Sequence, residues 1–296
     1  MKNRISFVIP SYNCENTLKE SVDSIFNKNF NTEDEVIIIN DASTDNTEKV
    51  AQELAVFYYP KIKIIKNEQN KGCPASRNIA ISQAKNELIF NLDSDNILTP
   101  RSIEKLKEQL IIQKADMCAF QKYYYFKTDT SKVTHKWICK TGFMSLPDFF
   151  SGYINPGPGG NFLFKKEIWN KVGGYWEYGK GLHEAWGFTF KMLVNGAKFY
   201  VVEDTYYYHR YSHSSLFVRE SSKKEYEQEI TNLFIKDYMN IFDISTRNFI
   251  LKNNDWFKKI NNFDFIIDGK TKGKDGKLVY TNIFKELVNK IKKCIR

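Results

Sequence analysis

The sequence has no long apolar run. No stretch approaches the roughly 18 uninterrupted apolar residues that are needed to cross a membrane. The first apolar run, Ile5 to Pro10, follows only Lys2 and Arg4 and is too short for the core of a signal peptide. We therefore expect a cytoplasmic protein without a transmembrane helix.

Cysteines are few and scattered. The chain has five, and no pair has CxxC spacing, so neither a zinc site nor a disulfide framework is indicated. With 296 residues, of which 42% are hydrophobic, the chain can bury a large core without a disulfide or a structural metal. We expect the thiols to be reduced.

Excess positive charge is scarce outside the C-terminal tail. The net charge is +9, but residues 270–296 hold nine Lys/Arg and two Asp/Glu, which leaves +2 for all the other residues. A nucleic-acid-binding protein carries its basic surface on the folded body. We therefore expect no nucleic-acid partner.

Glycine-rich nucleotide-binding motifs are missing as well. Neither GxGxxG nor GxxxxGK(S/T) follows a predicted strand, which argues against dinucleotide-binding and P-loop enzymes. Residues 9–16 contain no glycine at all. This counts against a nucleotidyltransferase, which would normally begin with a glycine-rich loop and a basic residue.

The sequence has instead a regular alternation of strands and helices over its first hundred residues. This alternation predicts an α/β fold with a parallel, doubly wound, Rossmann-like sheet, whose ligand lies beyond the carboxyl ends of the strands. The predicted strands are Ile5–Ile9, which Pro10 ends, Glu35–Asn40, Ile62–Lys66 and Leu88–Leu92, and the predicted helices are Asn16–Phe26, Thr44–Phe57 and Cys73–Ala84.

The pattern changes after about residue 98, and we divide the chain into an N-terminal segment (1–98), a middle segment (99–220) and a C-terminal segment (221–296). The middle segment predicts further strands and helices. The C-terminal segment is predicted to be a helical extension. The predicted elements are helix Pro100–Gln113, strand Met117–Phe126, a hairpin or loop over 129–140, strand Phe162–Phe164, helices Lys166–Val172 and His183–Asn195, strand Lys198–Val202, helix Glu225–Phe242, a Gly/Lys linker over Gly269–Gly276 and an amphipathic basic helix Asn282–Arg296.

Polar side chains follow three of the early strands, where a parallel sheet binds its ligand. For the residues after the second strand, capping of the next helix explains the pattern equally well. Asp93 and Asp95 are different, because two carboxylates directly after a buried strand repel each other unless a cation lies between them.

An ordered series of motifs runs through residues 3–215. Each motif alone is weak, but their order along the chain is specific. The motifs are Phe7-Val8-Ile9-Pro10-Ser11-Tyr12-Asn13, Asn40-Asp41-Ala42-Ser43-Thr44-Asp45-Asn46-Thr47, Asn70-Lys71-Gly72 with Ala75-Ser76-Arg77-Asn78, Asn91-Leu92-Asp93-Ser94-Asp95, and Gly159-Gly160-Asn161 to Phe164 with Gly173-Gly174-Tyr175.

This series resembles the inverting family 2 glycosyltransferases with the GT-A fold, and the resemblance implies that the sheet is a mixed one. The resemblance implies an enzyme that transfers a sugar, as a hexosyltransferase does, from a nucleoside diphosphate sugar to an acceptor hydroxyl, in glycan or surface polysaccharide synthesis. It implies that the N-terminal segment binds the nucleotide sugar and the middle segment the acceptor. The acceptor is a saccharide, a lipid-linked saccharide or a protein.

The resemblance also implies residue roles. Tyr12 would stack on the nucleotide base, Asp41 would accept a hydrogen bond from the base or ribose, and Arg77 would pair with phosphate oxygens. Mg²⁺ or Mn²⁺ would neutralise the departing diphosphate. The implied donor-binding residues are Pro10, Ser11, Tyr12, Asn13, Asp41, Arg77, Asp93, Ser94 and Asp95, the acceptor-binding residues are Gly160, Asn161 and Trp186, and the metal ligands are Asp95, Asp93 and His213.

The catalytic base is where the sequence departs from the family pattern. The aspartate that normally deprotonates the acceptor is Ala185 here, and Glu184 is the nearest carboxylate. Glu184 then serves as the base, or activity is lost or altered. If Glu184 is structural, Asp204 is the next candidate. A third acidic residue often found after Asp95 is also replaced, by Asn96.

Two alternatives therefore stay open beside the enzyme. The chain is a non-catalytic sugar- or nucleotide-binding homologue, as Ala185 suggests, or, less favoured, a nucleotidyltransferase. The tail also has two interpretations. Helix 282–296 either docks its apolar stripe on the catalytic domain or lies on an anionic inner membrane surface as a peripheral contact.

Overall fold

The computed structural model describes residues 4–144, 160–177 and 184–211, together with short pieces between 236 and 280. The predictions for His213, for most of helix 225–242 and for the tail helix 282–296 lie outside the described residues. Within the described ranges, ten strands form one mixed sheet in the order β3-β2-β1-β4-β9-β6-β10-β5, with β7 paired to β6 and β8 to β10.

The first four strands are parallel, as the alternating pattern predicts. β2 pairs with both β1 and β3, and β1 pairs with β4, all in the same direction. Every residue of β1 and all but Glu35 of β2 are buried, which suits strands that are covered on both faces. The elements are β1 (Ile5–Ser11), α1 (Leu18–Phe26), β2 (Glu35–Asn40), α2 (Thr47–Phe57), β3 (Ile62–Lys66), α3 (Cys73–Ser82) and β4 (Leu88–Asn91).

β1 runs two residues further than predicted, because Pro10 does not end it. Pro10 pairs with Ile39 of β2, and the carbonyl of Ser11 accepts a bond from the amide of Asp41 at 2.8 Å. Since successive residues of a strand face opposite neighbours, Pro10 faces the side of β4. Pairing with β4 has already ended there, at Val8 and Asn91. The missing amide hydrogen of proline therefore costs no ladder bond.

The second half extends the sheet with antiparallel and parallel strands. β9 lies antiparallel between β4 and β6, and β10 lies parallel to β6. The predicted hairpin after β6 is present, since β7 pairs antiparallel with β6. The elements are β5 (Ile97–Leu98), α4 (Ser102–Ile112), β6 (Met117–Phe126), β7 (His135–Ile138), β8 (Gly142–Met144), β9 (Phe162–Lys165), α5 (Lys166–Val172), α6 (Glu184–Val194) and β10 (Phe199–Arg210).

β10 is much longer than the predicted strand, which ended at Val202. The register against β6 shifts between Val202 and Tyr206, so the extra residues form a bulge rather than a stop. Asp204 has a φ of 52° there, and Thr205 donates a hydrogen bond to Val202. The polar run in the sequence marks this bulge, and the strand then continues through the tyrosine-rich segment to Arg210.

The described pieces of the C-terminal segment are not only helical. A 3₁₀ turn spans Met239–Ile241, and a small antiparallel sheet joins β11 (Ile266–Ile267), β12 (Lys270–Lys272) and β13 (Leu278–Tyr280). The linker predicted over 269–276 therefore contains a strand. The missed signal is the Asp275-Gly276 pair between short runs with β-forming residues, which is typical of a hairpin.

Candidate functional site

Loops at the carboxyl ends of β1 and β2 hold each other through side chains. The side-chain oxygen of Asn13 accepts a hydrogen bond from the amide of Thr44 at 2.8 Å, and Asp45 accepts one from the amide of Glu15 at 3.2 Å. Because residues 43–46 make these contacts, α2 begins at Thr47 rather than at Thr44. Tyr12 stands at the tip of the first loop with 44% of its surface exposed.

Two of the predicted donor-binding residues are interior. Pro10 and Ser11 belong to β1 and are buried. Ser94, by contrast, is only partly buried and lies beside the thiol of Cys14. The structure brings all three to the same edge of the sheet, and their contact with a donor stays a prediction.

Asp41 fixes the turn that leads into α3. Its carboxylate accepts hydrogen bonds from the amides of Lys71 and Gly72, both at 2.9 Å, and from the side chain of Asn67 at 2.7 Å. The residue is 3% exposed. In this arrangement Asp41 orients the N-terminus of α3, and a hydrogen bond to a base or ribose stays a prediction.

Arg77 is buried and pairs with two carboxylates. Nη2 lies 2.5 Å from Oδ1 of Asp93, and Nη1 pairs with Oε1 of Glu184. The guanidinium is 1% exposed and lies 5.6 Å from the centre of the Tyr175 ring. The sequence predicted that Arg77 presents its charge to phosphate oxygens. In the structure both terminal nitrogens pair with carboxylates, and a contact of Arg77 with phosphate stays a prediction.

Asp93 is held from several sides. Besides Arg77, its Oδ2 accepts hydrogen bonds from Asn96 at 3.1 Å and from Asn161 at 3.2 Å, and its amide donates to Asn161 at 2.8 Å. Gly160 has a φ of 79°, and a Cβ placed on it would lie 2.5 Å from Oδ2 of Asp93. Residue 160 must therefore be glycine, both for its backbone angle and for this close approach.

Gly160 and Asn161 thus lie against the donor-side carboxylate. Asn161 is fully buried, and its side chain pins the turn after β4. The sequence assigned both residues to the acceptor. Their contact with an acceptor stays a prediction, and what the structure gives them is a positioning role at Asp93.

Asp95 differs from Asp93 in having few partners. Its carboxylate accepts no hydrogen bond from another residue in the described part of the chain. Burial and the nearby charge of Asp93 raise the pKa of Asp95 to about 7. The nearby positive charge of Arg210 lowers this pKa, but its guanidinium donates to the backbone oxygen of Asp95 and not to the carboxylate. A partly buried carboxylate beside a like charge suits a cation. No cluster of three or more His, Cys, Asp or Glu able to hold a metal occurs among the described residues.

Asn96 is structural rather than a weakened metal ligand. It is fully buried, donates to Asp93, and accepts a hydrogen bond from the amide of Arg210 at 2.9 Å. Its side chain also lies 3.4 Å from Nδ1 of His209. Burial lowers the pKa of His209. His209 is therefore the histidine that the described structure brings near the site, whereas the sequence favoured His213.

Glu184 is the first residue of α6 and reaches the same guanidinium as Asp93. Its side chain is 12% exposed, and its Oε2 is buried without a hydrogen-bond partner among the residues that the structure describes. Burial raises the pKa of Glu184, and the positive charge of Arg77 opposes that shift. The thiol of Cys73 lies beside it.

Ala185 points elsewhere. Its side chain packs against the hydrophobic core, and its carbonyl accepts a hydrogen bond from Thr189 at 2.9 Å. Asp204, the second candidate for the base, has an 80% exposed side chain that pairs with Lys122 on the bulge of β10. Of the candidate bases, Glu184 is therefore the one that the structure brings to Arg77 and Asp93.

Trp186 is half-buried at the start of α6. Its ring stacks on Phe190 with an interplanar angle of 7° and a centroid distance of 5.6 Å. This packing holds the indole in place, and contact with a sugar stays a prediction.

Asn78 is a residue that the sequence interpretation did not single out. Its side-chain oxygen accepts from the amide of Tyr175 at 2.8 Å and from Nε1 of Trp169 at 3.0 Å. Its amide group donates to the carbonyl of Tyr175 at 2.9 Å. Asn78 thereby joins α3 to the segment after α5, while its neighbour Arg77 joins α3 to α6. The sequence does contain a signal for Asn78, because it belongs to the motif Ala75-Ser76-Arg77-Asn78.

Comparison with known sequences gives one family. Residues 6–183, more than half of the chain, match the family described as "Glycosyl transferase family 2". The "Putative glycosyltransferase EpsE" of Bacillus subtilis (strain 168) is 39% identical over 102 residues, which are 34% of this chain and 36% of that protein. The Escherichia coli "UDP-Glc:alpha-D-GlcNAc-diphosphoundecaprenol beta-1,3-glucosyltransferase WfgD" is 34% identical over 100 residues, or 34% of this chain and 38% of that protein. These matches span less than half of each relative.

A solved structure shares the fold. The crystal structure of S. aureus TarS 1–349 in complex with UDP-GlcNAc aligns with 84% of this chain and 70% of that chain, at a TM-score of 0.67 and 21% sequence identity. The architecture is thus that of a GT-A-like glycosyltransferase domain.

Proposed function

The chain belongs to glycosyl transferase family 2, and from that membership we propose that it transfers a sugar from a nucleoside diphosphate sugar to an acceptor hydroxyl, with inversion. The observation that carries the proposal is the ion-paired group of Asp93, Arg77 and Glu184. A carboxylate of the donor-side motif and a candidate base from the second half of the domain meet on one buried guanidinium.

The donor side is expected to bind the nucleotide through the loops after β1 and β2. Tyr12 has a half-exposed ring that can stack on a base, a contact of about 1–3 kcal/mol. Asp41 supports this side indirectly, because it orients the N-terminus of α3. UDP is the first nucleotide to test, because the name of the relative WfgD includes UDP-Glc.

Asp93 and Asp95 are the residues that would hold Mn²⁺ or Mg²⁺. The fit rests on Asp95, whose carboxylate accepts no hydrogen bond from another described residue, while both oxygens of Asp93 already have partners. The ion would neutralise charge on the departing diphosphate as a Lewis acid. A role for His213 as a further ligand stays a prediction on a residue outside the described ranges.

Glu184 is the proposed general base. Its Oε1 is bound by Arg77, so Oε2 is the atom left to accept the proton of the attacking hydroxyl. Burial favours the neutral form of Glu184 and makes the carboxylate a stronger base. Inversion requires only one base, since the acceptor oxygen attacks the sugar directly.

A panel of sugar nucleotides tests the activity. Thermal unfolding of the full chain with each compound, with and without Mn²⁺, identifies the donor, because a ligand that binds the native state raises the melting temperature. Release of the nucleoside diphosphate from that donor, with water as acceptor, then reports turnover. A chain that binds a donor but never releases the diphosphate contradicts the proposed activity.

The second candidate is a binding protein without turnover. It is favoured by Ala185, which stands where the family pattern has its aspartate base. The same panel separates the two, since a binding protein shows the thermal shift without diphosphate release.

The acceptor and the location of the chain are proposed only as classes. The chain is proposed to act in polysaccharide or glycan synthesis, on a saccharide, a lipid-linked saccharide or a protein. In the described part of the chain, no helix is long and apolar enough to cross a membrane. A cytoplasmic location with peripheral membrane contact through residues 282–296 stays a prediction.

A further inference from the structure

We infer that Arg77 is a positioning residue rather than a phosphate ligand: it fixes the base Glu184 relative to the donor-side carboxylate Asp93 and leaves Oε2 of Glu184 as the proton-accepting atom. This inference rests on the proposed function. It assigns Arg77 a role different from the phosphate contact that the sequence motif suggests.

The guanidinium of Arg77 holds two carboxylates, and its Nε is buried without a hydrogen-bond partner among the described residues. One terminal nitrogen pairs with Asp93 at 2.5 Å and the other pairs with Glu184. At 1% exposure the group is enclosed by protein. A phosphate could reach Arg77 only if the enclosing protein, including at least one of these two carboxylates, moved away. The displaced carboxylate would then lack its counterion, which is costly in a buried site.

Arg77 also connects two distant parts of the domain. Asp93 follows β4 in the first half of the domain, whereas Glu184 begins α6 in the second half. Neither carboxylate has another charged partner among the described residues. Arg77 is itself held on α3, with its guanidinium over the ring of Tyr175. The guanidinium thus fixes the position of Glu184 relative to Asp93.

The same pairing selects one oxygen of Glu184. A planar guanidinium directs its two terminal nitrogens in fixed directions, which an ammonium does not. Because Oε1 of Glu184 is occupied, Oε2 is the oxygen that would accept the proton once the acceptor reaches it. Within the described ranges Oε2 is buried and has no hydrogen-bond partner. A lysine at position 77 would keep the positive charge but would not hold both carboxylates at once.

The first experiment compares Arg77→Lys with the wild-type full chain. For a positioning residue, diphosphate release should fall by about 10- to 100-fold, while the Kd for UDP measured without Mn²⁺ changes by less than about threefold. The matched control is Arg4→Lys, since Arg4 forms a surface ion pair with Glu33 near the start of β1. The control should leave both quantities unchanged. A rise in the Kd for UDP equal to the fall in turnover, or unchanged turnover, overturns the inference.

The second experiment does not depend on the donor. Arg77→Met removes the shared counterion and should lower the melting temperature strongly, since it leaves buried carboxylates unpaired. Adding Glu184→Gln removes one of those charges and should restore some of the loss. If Glu184→Gln instead lowers the melting temperature equally in both backgrounds, the residues are not coupled and the inference is wrong.

The two experiments separate failure of the inference from failure of the proposed function. If the wild-type chain neither binds nor cleaves any sugar nucleotide, the proposed function is wrong, and the thermal cycle still decides whether Arg77 couples to Glu184. If the wild-type chain is active and the cycle shows no coupling, only the assignment of Arg77 is wrong.

Discussion

Gly160 and Asp93 lie in direct contact although β5, α4 and β6–β8 intervene in the chain. A Cβ on residue 160 would approach Oδ2 of Asp93 to 2.5 Å, and the next residue, Asn161, binds the amide of Asp93. The strand that follows, β9, pairs with β4 and so brings this glycine to the end of the donor-side strand. The site is thus assembled by sheet pairing between the two halves of the domain.

Gly160→Ala should therefore reduce donor turnover more than its backbone strain alone predicts. The new methyl group would displace Asp93 and disturb its pair with Arg77. Gly196→Ala is the matched control, because its φ of 82° is close to the 79° of Gly160 but nothing lies within 4 Å of its Cβ. Equal loss of diphosphate release in the two variants, at equal melting temperature, would contradict the contact.

Asp95→Asn should abolish the metal dependence of UDP binding. The amide keeps the shape of the side chain but removes the charge that Mn²⁺ requires. Calorimetry of UDP with and without Mn²⁺ measures the difference. Asp204→Asn is the control, since Asp204 is an exposed acidic residue whose side chain pairs with Lys122. A folded Asp95→Asn variant with unchanged metal dependence would exclude Asp95 as a ligand.

The pH profile should carry the signature of a buried base. Burial raises the pKa of Glu184 above its ordinary value of 4.5. A base acts only when it is deprotonated, so diphosphate release should decline as the pH falls through this raised pKa. The acidic limb of the pH–rate profile should therefore lie above pH 4.5. Replacing Arg77 by methionine should move that limb to still higher pH, because the opposing positive charge is lost. If diphosphate release declines at the same pH in the methionine variant, Arg77 does not influence the pKa of Glu184.

The parallel half of the fold was predictable because its signals are local. Continuous β-branched runs and helical spacing identify β1 to β4, and their polar ends identify the side of the sheet that carries Asp93. The paired group of Asp93, Arg77 and Glu184 was not predictable in the same way. It depends on β9 and α6 returning to the first half, and no local pattern in the sequence states where a distant carboxylate will lie.

Asn96 illustrates the same limit within a single motif. From the sequence it was only the replacement of an acidic residue after Asp95, and its structural role depends on its neighbours in space. It is fully buried and joins Asp93 to the backbone of Arg210 on β10. The strand within residues 269–276 was missed for a different reason. The glycines and lysines there were interpreted as a linker, although the Asp275-Gly276 pair is typical of a hairpin.

The basic tail gives a further prediction. Deletion of residues 282–296 should leave diphosphate release intact and abolish sedimentation with vesicles of anionic lipid at low salt. Each basic residue near such a surface contributes about 1 kcal/mol, and salt screens the attraction. If the full chain ignores the vesicles, or the shortened chain unfolds, the tail belongs to the folded domain instead.

The most direct test of the proposed mechanism is the turnover of Glu184→Gln. Glutamine keeps the size of the side chain but cannot accept the acceptor's proton. We predict that diphosphate release falls by at least about a hundredfold, the usual scale for loss of a general base. The Kd for UDP should stay nearly unchanged. Near-normal turnover in a folded Glu184→Gln chain would contradict the mechanism, since Glu184 would then be structural and the base would lie elsewhere.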